Sequence, residues 1–185
     1  MELQFEIKNF ACAYRHGQEV LQVRDLPVPR GQLMFILGIS GIGKSTFIES
    51  LGLMNDIIVP KPDTSVRFFA QNGEISEMTG LWRGNNRLIS HFRNRYFSFI
   101  FYNTNLMPHF SAGENMCTSQ LISGRTLAQA KPVVQHIMQA LNLPPDVFDK
   151  KITELSGGQR QRLAFVRAIT AEFEVLFGDE PTGNL

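Results

Sequence analysis

A chain of 185 residues with a formal charge of +1 is one domain, or one domain with a subdomain, and such a charge argues for neither nucleic acid nor an acidic partner. Apolar residues make up 43%, enough for a globular core, while Cys12 and Cys117 are too few for a disulfide framework and make a reducing compartment the default. No apolar run approaches the roughly 20 residues that span a bilayer, and the N-terminus lacks the basic and apolar regions of a signal peptide, so any membrane-spanning part would belong to a partner.

Leu3, Phe5 and Ile7 alternate as one face of a first strand, and Val20, Leu21 and Val23 suggest a second. Residues 15–18 would form the turn of an antiparallel hairpin, with Tyr14 at the end of its first strand. Pro27, Pro29 and Gly31 punctuate the approach to 33–37, a short apolar run of buried-strand type. Next comes Gly38-Ile39-Ser40-Gly41-Ile42-Gly43-Lys44-Ser45, followed by Thr46, which matches the pattern G-x-x-x-x-G-K-[ST] without mismatch. Residues 46–54 read as the start of a helix. A strand feeding a glycine loop feeding a helix leaves backbone N–H groups converging on one concavity at the positive end of a helix dipole, which suits a polyphosphate. The glycines let the backbone wrap closely. Lys44 would reach the β- and γ-phosphates, and the Ser45 hydroxyl would take one position on Mg²⁺.

The pattern is weakest over 55–95. Pro60 and Pro62 break the chain, 66–70 predicts a strand, and Gly73, Gly80 and Gly84 mark loops. Arg83, Arg87, Arg93 and Arg95 are interleaved with Trp82, His91, Phe92 and Tyr96. Such a stretch can hold single-stranded nucleic acid, but more often it is a solvated helix face over a packed one, and no nucleic-acid partner is expected. Residues 97–101 form another buried-strand run, ending at Tyr102-Asn103-Thr104-Asn105. A helix is predicted over 126–141, with Leu127, Val133 or Val134, Ile137 and Leu141 on one side and Pro144-Pro145 as its stop. A second amphipathic helix is predicted over 161–173, then a final strand, Val175-Leu176-Phe177, running into Gly178-Asp179-Glu180.

Two further constellations carry chemistry. In Leu155-Ser156-Gly157-Gly158-Gln159, Ser156 is a good N-cap, and two glycines leave N–H groups bare at the positive end of the following helix. This predicts a second anion-binding terminus. At the end of the last strand, Asp179 can hold Mg²⁺ through its water shell, and the adjacent Glu180 can orient and deprotonate an attacking water.

These three motifs in this order resemble the nucleotide-binding domain of ATP-binding cassette (ABC) ATPases over the whole chain. The resemblance implies an α/β P-loop NTPase with a mainly parallel core sheet, an N-terminal antiparallel β subdomain and a helical signature subdomain. Residues 1–185 would be a single domain, with a helical subdomain inserted at about 103–160. By the same resemblance Tyr14 stacks on adenine, Asp179 is the Mg²⁺ acid and Glu180 the catalytic base. Ser156, Gly157, Gly158 and Gln159 would touch the γ-phosphate of ATP held by a second nucleotide-binding domain in a head-to-tail dimer. ATP and Mg²⁺ are the implied ligands, an integral membrane permease the implied partner, and the cytoplasmic face of the membrane the implied location. The ending Gly178-Asp179-Glu180-Pro181-Thr182-Gly183-Asn184-Leu185 is most similar to transporters of the lipoprotein-releasing, macrolide-export and cell-division type, as are 101–108 and 113–115.

Two departures stand out. Tyr102 occupies the place of the family's Q-loop glutamine, and a phenol cannot reproduce an amide oxygen on Mg²⁺ and water. The chain also stops at Leu185, where the family continues with a further strand, a switch histidine and C-terminal helices. His16, His91, His109 and His136 all precede the last strand and cannot supply that histidine. A truncated form of a longer domain is therefore expected, with ladder bonds unmade and apolar faces open where the missing strand would lie. Other activities the residues allow are a soluble ABC ATPase and a hydrolysis-poor ATP-binding regulatory module.

Overall fold

In the computed structural model, which describes residues 2–14, 19–59, 61–101 and 103–181, the chain divides into two units, Met1–Tyr96 and Phe97–Leu185. The expected turn at 15–18, His16, the break at Pro60, Tyr102 and the final residues 182–185 lie outside the described residues.

The first unit is built on strand β1, Leu3–Ala13, which runs well past the alternation that announces it. Phe5 and Ile7 are buried, and beyond Lys8 the alternation breaks, with Phe10, Ala11 and Cys12 all buried. Asn9 causes the change: its φ of 46° lies in the left-handed region that Asn tolerates better than most residues. Its side chain donates to Asp63 Oδ2 at 2.7 Å. Strand β2, Glu19–Pro29, pairs antiparallel with β1, so Pro27 and Pro29 lie within a strand rather than ahead of one. They are tolerated because β2 is an edge, in the order β2-β1-β3-β4, where a missing N–H breaks no second ladder. Strand β3, Ser65–Phe69, pairs with β1, and β4, Ile75–Glu77, completes the antiparallel sheet.

One face of this sheet carries an aromatic core. Phe68 lies 5.2 Å from Phe5, 5.4 Å from Phe92 and 5.0 Å from Tyr96, centroid to centroid. Phe92 and Tyr96 come from helix α2, Asn86–Tyr96. Trp82, Phe92 and Tyr96 are all buried, so these rings of the basic, aromatic stretch form core and offer no open platform for bases. Helix α1, Lys44–Leu51, rests on the same body: Phe47 meets the edge of Phe10 at 5.8 Å, and the Trp82 indole donates to Ser50 O at 2.8 Å.

The run 33–37 departs from expectation. It joins no described strand, and Leu33, Phe35 and Leu37 are 81%, 73% and 88% exposed. An apolar run gains by burial only when neighbours cover both its faces. With no ladder partner among the described residues, the run leaves most of its apolar side chains exposed.

In the second unit, β5, Phe97–Ile100, and β6, Val175–Gly178, form a two-stranded parallel sheet, with Phe97 opposite Val175 and Ile100 opposite Gly178. Parallel pairing is thus confined to these two strands among the described residues. Helix α3, Ala112–Ile122, was not legible as a helix; it starts on a reciprocal cap between Ser111 and Glu114. Helix α4, Leu127–Ala140, falls where expected, but its buried stripe is Ala130, Val134 and Met138, with Leu127 and Val133 exposed. Helix α5, Gly157–Ile169, begins four residues before the expected start because the cap at Ser156 admits both glycines to the first turn. These helices share a core of Met116, Val134, Met138, Phe148, Leu163 and Val166 among others. Gly113 is required there, since a Cβ would lie 2.4 Å from the Phe148 ring.

Candidate functional site

The glycine loop, 38–46, ends at Gly43, the N-cap of α1, with φ at 100°. Gly41 also has a positive φ, 79°, and both values suit glycine alone among ordinary residues. A Cβ on Gly38 would come 2.9 Å from Ile42 Cγ2, so the loop closes back on itself at its first glycine. The Lys44 ammonium fastens this closure by donating to Gly38 O and Ile39 O, each at 2.9 Å. An ammonium has three donors, so the loop's own carbonyls take two and one remains for an acceptor in the cradle. Because α1 begins at Lys44, the amides of its first turn have no carbonyl four residues back within the helix. Phe47 N is the first to close an i−4 bond, to Gly43 O at 2.9 Å. The loop therefore combines a cation, first-turn amides and a helix N-terminus, a donor set that fits a polyphosphate. Ser45 is exposed in that turn, whereas Thr46 is buried.

Tyr14 lies just past the end of β1. Its hydroxyl is 3.1 Å from Thr46 Oγ1, yet the residue is 54% exposed. The phenol is tied to the loop and the ring is left accessible, as a stacking surface needs.

In the second unit, Ser156 caps α5 in both directions. Gln159 N donates to Ser156 Oγ at 3.2 Å, and Ser156 N donates to Gln159 Oε1 at 2.9 Å. The hydroxyl thus spends acceptor capacity on its own helix and keeps its hydrogen for another group. Gly157 and Gly158 have no positive φ, and a Cβ on either would meet nothing within 4 Å. Their own unit does not demand glycine, and the surface above them is open.

Asp179 and Glu180 follow β6 directly. Asp179 N donates to Ile100 O at 2.9 Å, carrying the β5–β6 ladder one step further. Glu180 is exposed and holds a φ of 44°, which is unusual for a residue with a side chain and costs of order 1–3 kcal/mol. The structure therefore brings the residues of 38–46 together with Tyr14 in the first unit, and groups 156–159 and 179–180 on neighbouring elements of the second. Exposed His91, His109 and His136 stand in neither constellation. Among the described residues no group of three or more His, Cys, Asp or Glu could enclose a metal.

Sequence reasoning missed Arg167. Its guanidinium donates to Thr104 O at 2.7 Å and Asn105 O at 2.9 Å, pinning the segment that follows Tyr102 to the last turn of α5. Burial lowers its pKa from the usual value. A lone arginine in the last turn of an amphipathic helix looks like an ordinary dipole partner, which hid this role. No described helix is long and apolar enough to cross a membrane.

Comparison with known proteins places these constellations in context. The family model described as ABC transporter matches residues 21–183. The lipoprotein-releasing system ATP-binding protein LolD of Porphyromonas gingivalis is 35% identical over 168 residues, covering 90% of this chain and 70% of that protein. The corresponding protein of Syntrophus aciditrophicus is 37% identical over 167 residues, 90% of this chain and 69% of its own length. Among solved structures, the dimeric bacterial ABC transporter cassette MJ0796 superposes with a TM-score of 0.80 at 24% identity, over 98% of this chain and 75% of that one.

Proposed function

The chain belongs to the ABC transporter family as its ATP-binding and ATP-hydrolysing subunit, and from that premise we propose how its residues divide the work. Residues 1–185 act as one nucleotide-binding domain, with the segment of about 103–160 as its helical subdomain. Adenine stacks on Tyr14, and the triphosphate lies in the cradle of Gly38, Ile39, Ser40, Gly41, Ile42, Gly43, Lys44, Ser45 and Thr46. Lys44 supplies the charge that meets the β- and γ-phosphates. Glu180 accepts the proton of the attacking water as it advances in line on the γ-phosphorus. Mg²⁺, held by Ser45 and through water by Asp179, would neutralise charge on the phosphate oxygens.

Ser156, Gly157, Gly158 and Gln159 close over the ATP of a second copy in a head-to-tail dimer. The outward hydroxyl of Ser156 and the bare glycine surface support that role. The dimer works beneath a membrane permease on the cytoplasmic face of the bilayer, coupling closure and opening to transport. The relatives' role as the ATP-binding protein of a lipoprotein-releasing system supports a subunit of a larger machine.

The observation that carries this reading is the Lys44 ammonium bridging Gly38 O and Ile39 O at the mouth of α1. Phosphate release from ATP tests it. Hydrolysis is expected with Mg²⁺ and only background after chelation. Asp179→Asn should raise the Mg²⁺ concentration for half-maximal rate by roughly tenfold or more, the scale of lost outer-shell support. A rate indifferent to chelation contradicts the assignment of Ser45 and Asp179.

A further inference from the structure

One buried polar side chain belongs to none of the assigned motifs. Gln161 lies in α5 in line with Ala164 and Ala168, on the face that packs inward, and is only 2% exposed. Burying a primary amide is costly unless its hydrogen bonds are made. Its Nε2 donates to Pro181 O at 2.6 Å, while its Oε1 has no hydrogen-bond partner among the described residues. Only the nitrogen of the amide can serve a carbonyl, so the contact fixes which way the side chain faces.

Pro181 follows Glu180, the one acidic residue among the described residues with a positive φ. A residue in that backbone region relaxes unless its surroundings hold it there. On its N-terminal side the turn is held by Asp179 N donating to Ile100 O at 2.9 Å. Within the turn, the Pro181 ring stands 3.4 Å from the Cβ position of Gly178. On its C-terminal side it is tethered by Gln161 through the Pro181 carbonyl.

We propose that Gln161 is a positioning residue for Glu180: its amide clamps the carbonyl of Pro181 and so fixes the turn that presents the base. The clamp sits about one turn beyond Ser156 on the same helix. Movement of the signature end of α5 is therefore passed to the carboxylate of the same protomer. The nucleotide that a protomer's Ser156 touches and the one its Glu180 attacks lie in different halves of the proposed dimer, so Gln161 links the two sites. This rests on the reading of Glu180 as the base.

The test compares the intact protein with Gln161→Met, which keeps the length and loses the donor, and Gln161→Asn, which keeps the amide but is one methylene short. Each is also made in the Glu180→Gln background. The expected result is a fall in kcat of about tenfold for both variants, with KM and ATP affinity within about twofold, as for a residue that acts only in the hydrolytic step. In the Glu180→Gln background neither change should lower the residual rate further, because two residues acting through one carboxylate are not additive. A fall of the same size in both backgrounds, or a fall that tracks lost ATP affinity or melting temperature, overturns the proposal in favour of a packing role. Full activity in both single variants overturns it too. If Glu180→Gln alone retains full activity, the base assignment itself fails, an outcome distinct from the others.

Discussion

Replacing Glu180 with glutamine is expected to lower the turnover number by about 10²- to 10⁴-fold, the usual contribution of a positioned general base, with ATP affinity nearly unchanged. The amide has the carboxylate's shape and can still hold a water, but it cannot accept the proton as the oxygen attacks phosphorus. Glu180 is exposed and holds a φ of 44° at the end of β6. Neither feature serves folding: an exposed acid adds little to a core, and a left-handed backbone costs energy. Their combination is what a group presented to substrate requires. Steady-state hydrolysis beside equilibrium nucleotide binding checks the prediction. Unchanged turnover would remove Glu180 from the mechanism and move the base elsewhere.

The second large effect is expected at Lys44. Lys44→Ala should weaken ATP binding by roughly 100-fold, the scale of losing charge-assisted hydrogen bonds to phosphate, and hydrolysis should fall with it. Two causes combine. The cation that faces the phosphates is removed, and the loop loses the paired 2.9 Å bonds to Gly38 O and Ile39 O that hold its mouth closed. Lys44→Arg should not rescue the loss. A planar guanidinium is larger than an ammonium, and its donors are fixed in one plane, so it cannot serve the two carbonyls and the phosphate from the same point. Calorimetric titration with ATP reads the affinity, and retention of wild-type affinity by Lys44→Ala would detach nucleotide binding from this loop.

The chemistry of the chain is more legible than its packing, for a physical reason. The glycine loop and the Ser156 cap are short patterns whose function depends on residues a few positions apart, so their spacing is visible in the sequence. The reciprocal bonds between Ser156 and Gln159 follow from an S-x-x-Q string alone. Helix α3 was hidden because it buries polar residues, Asn115 and Gln120, beside Met116 and Cys117, which erases apolar periodicity. Asn115 spends its amide on Met107 N and O, at 2.8 and 3.0 Å, a non-helical contact that no local pattern announces. Its Ser111–Glu114 cap was the one available signal.

Strand β1 ends beside Tyr14 as expected, but its alternation is visible only as far as Ile7, because a period-two pattern cannot anticipate the left-handed Asn9 in mid-strand. For 33–37 the composition indicated a buried strand, but burial depends on neighbours that composition does not contain. Gln161 and Arg167 escaped for a related cause: each acts on a backbone carbonyl, of Pro181 and of Thr104 and Asn105, and carbonyl partners leave no mark on residue identity.

The claim on which the account rests is that a triphosphate occupies the amide cradle of 38–46. Hydrogen exchange with and without Mg·ATP reads it directly, since amides that bind phosphate stop exchanging with water. Slower exchange concentrated at 38–46, and abolished by Lys44→Ala, is the predicted result. Unchanged exchange across that loop, with new protection elsewhere in the chain when ATP is bound, would contradict it.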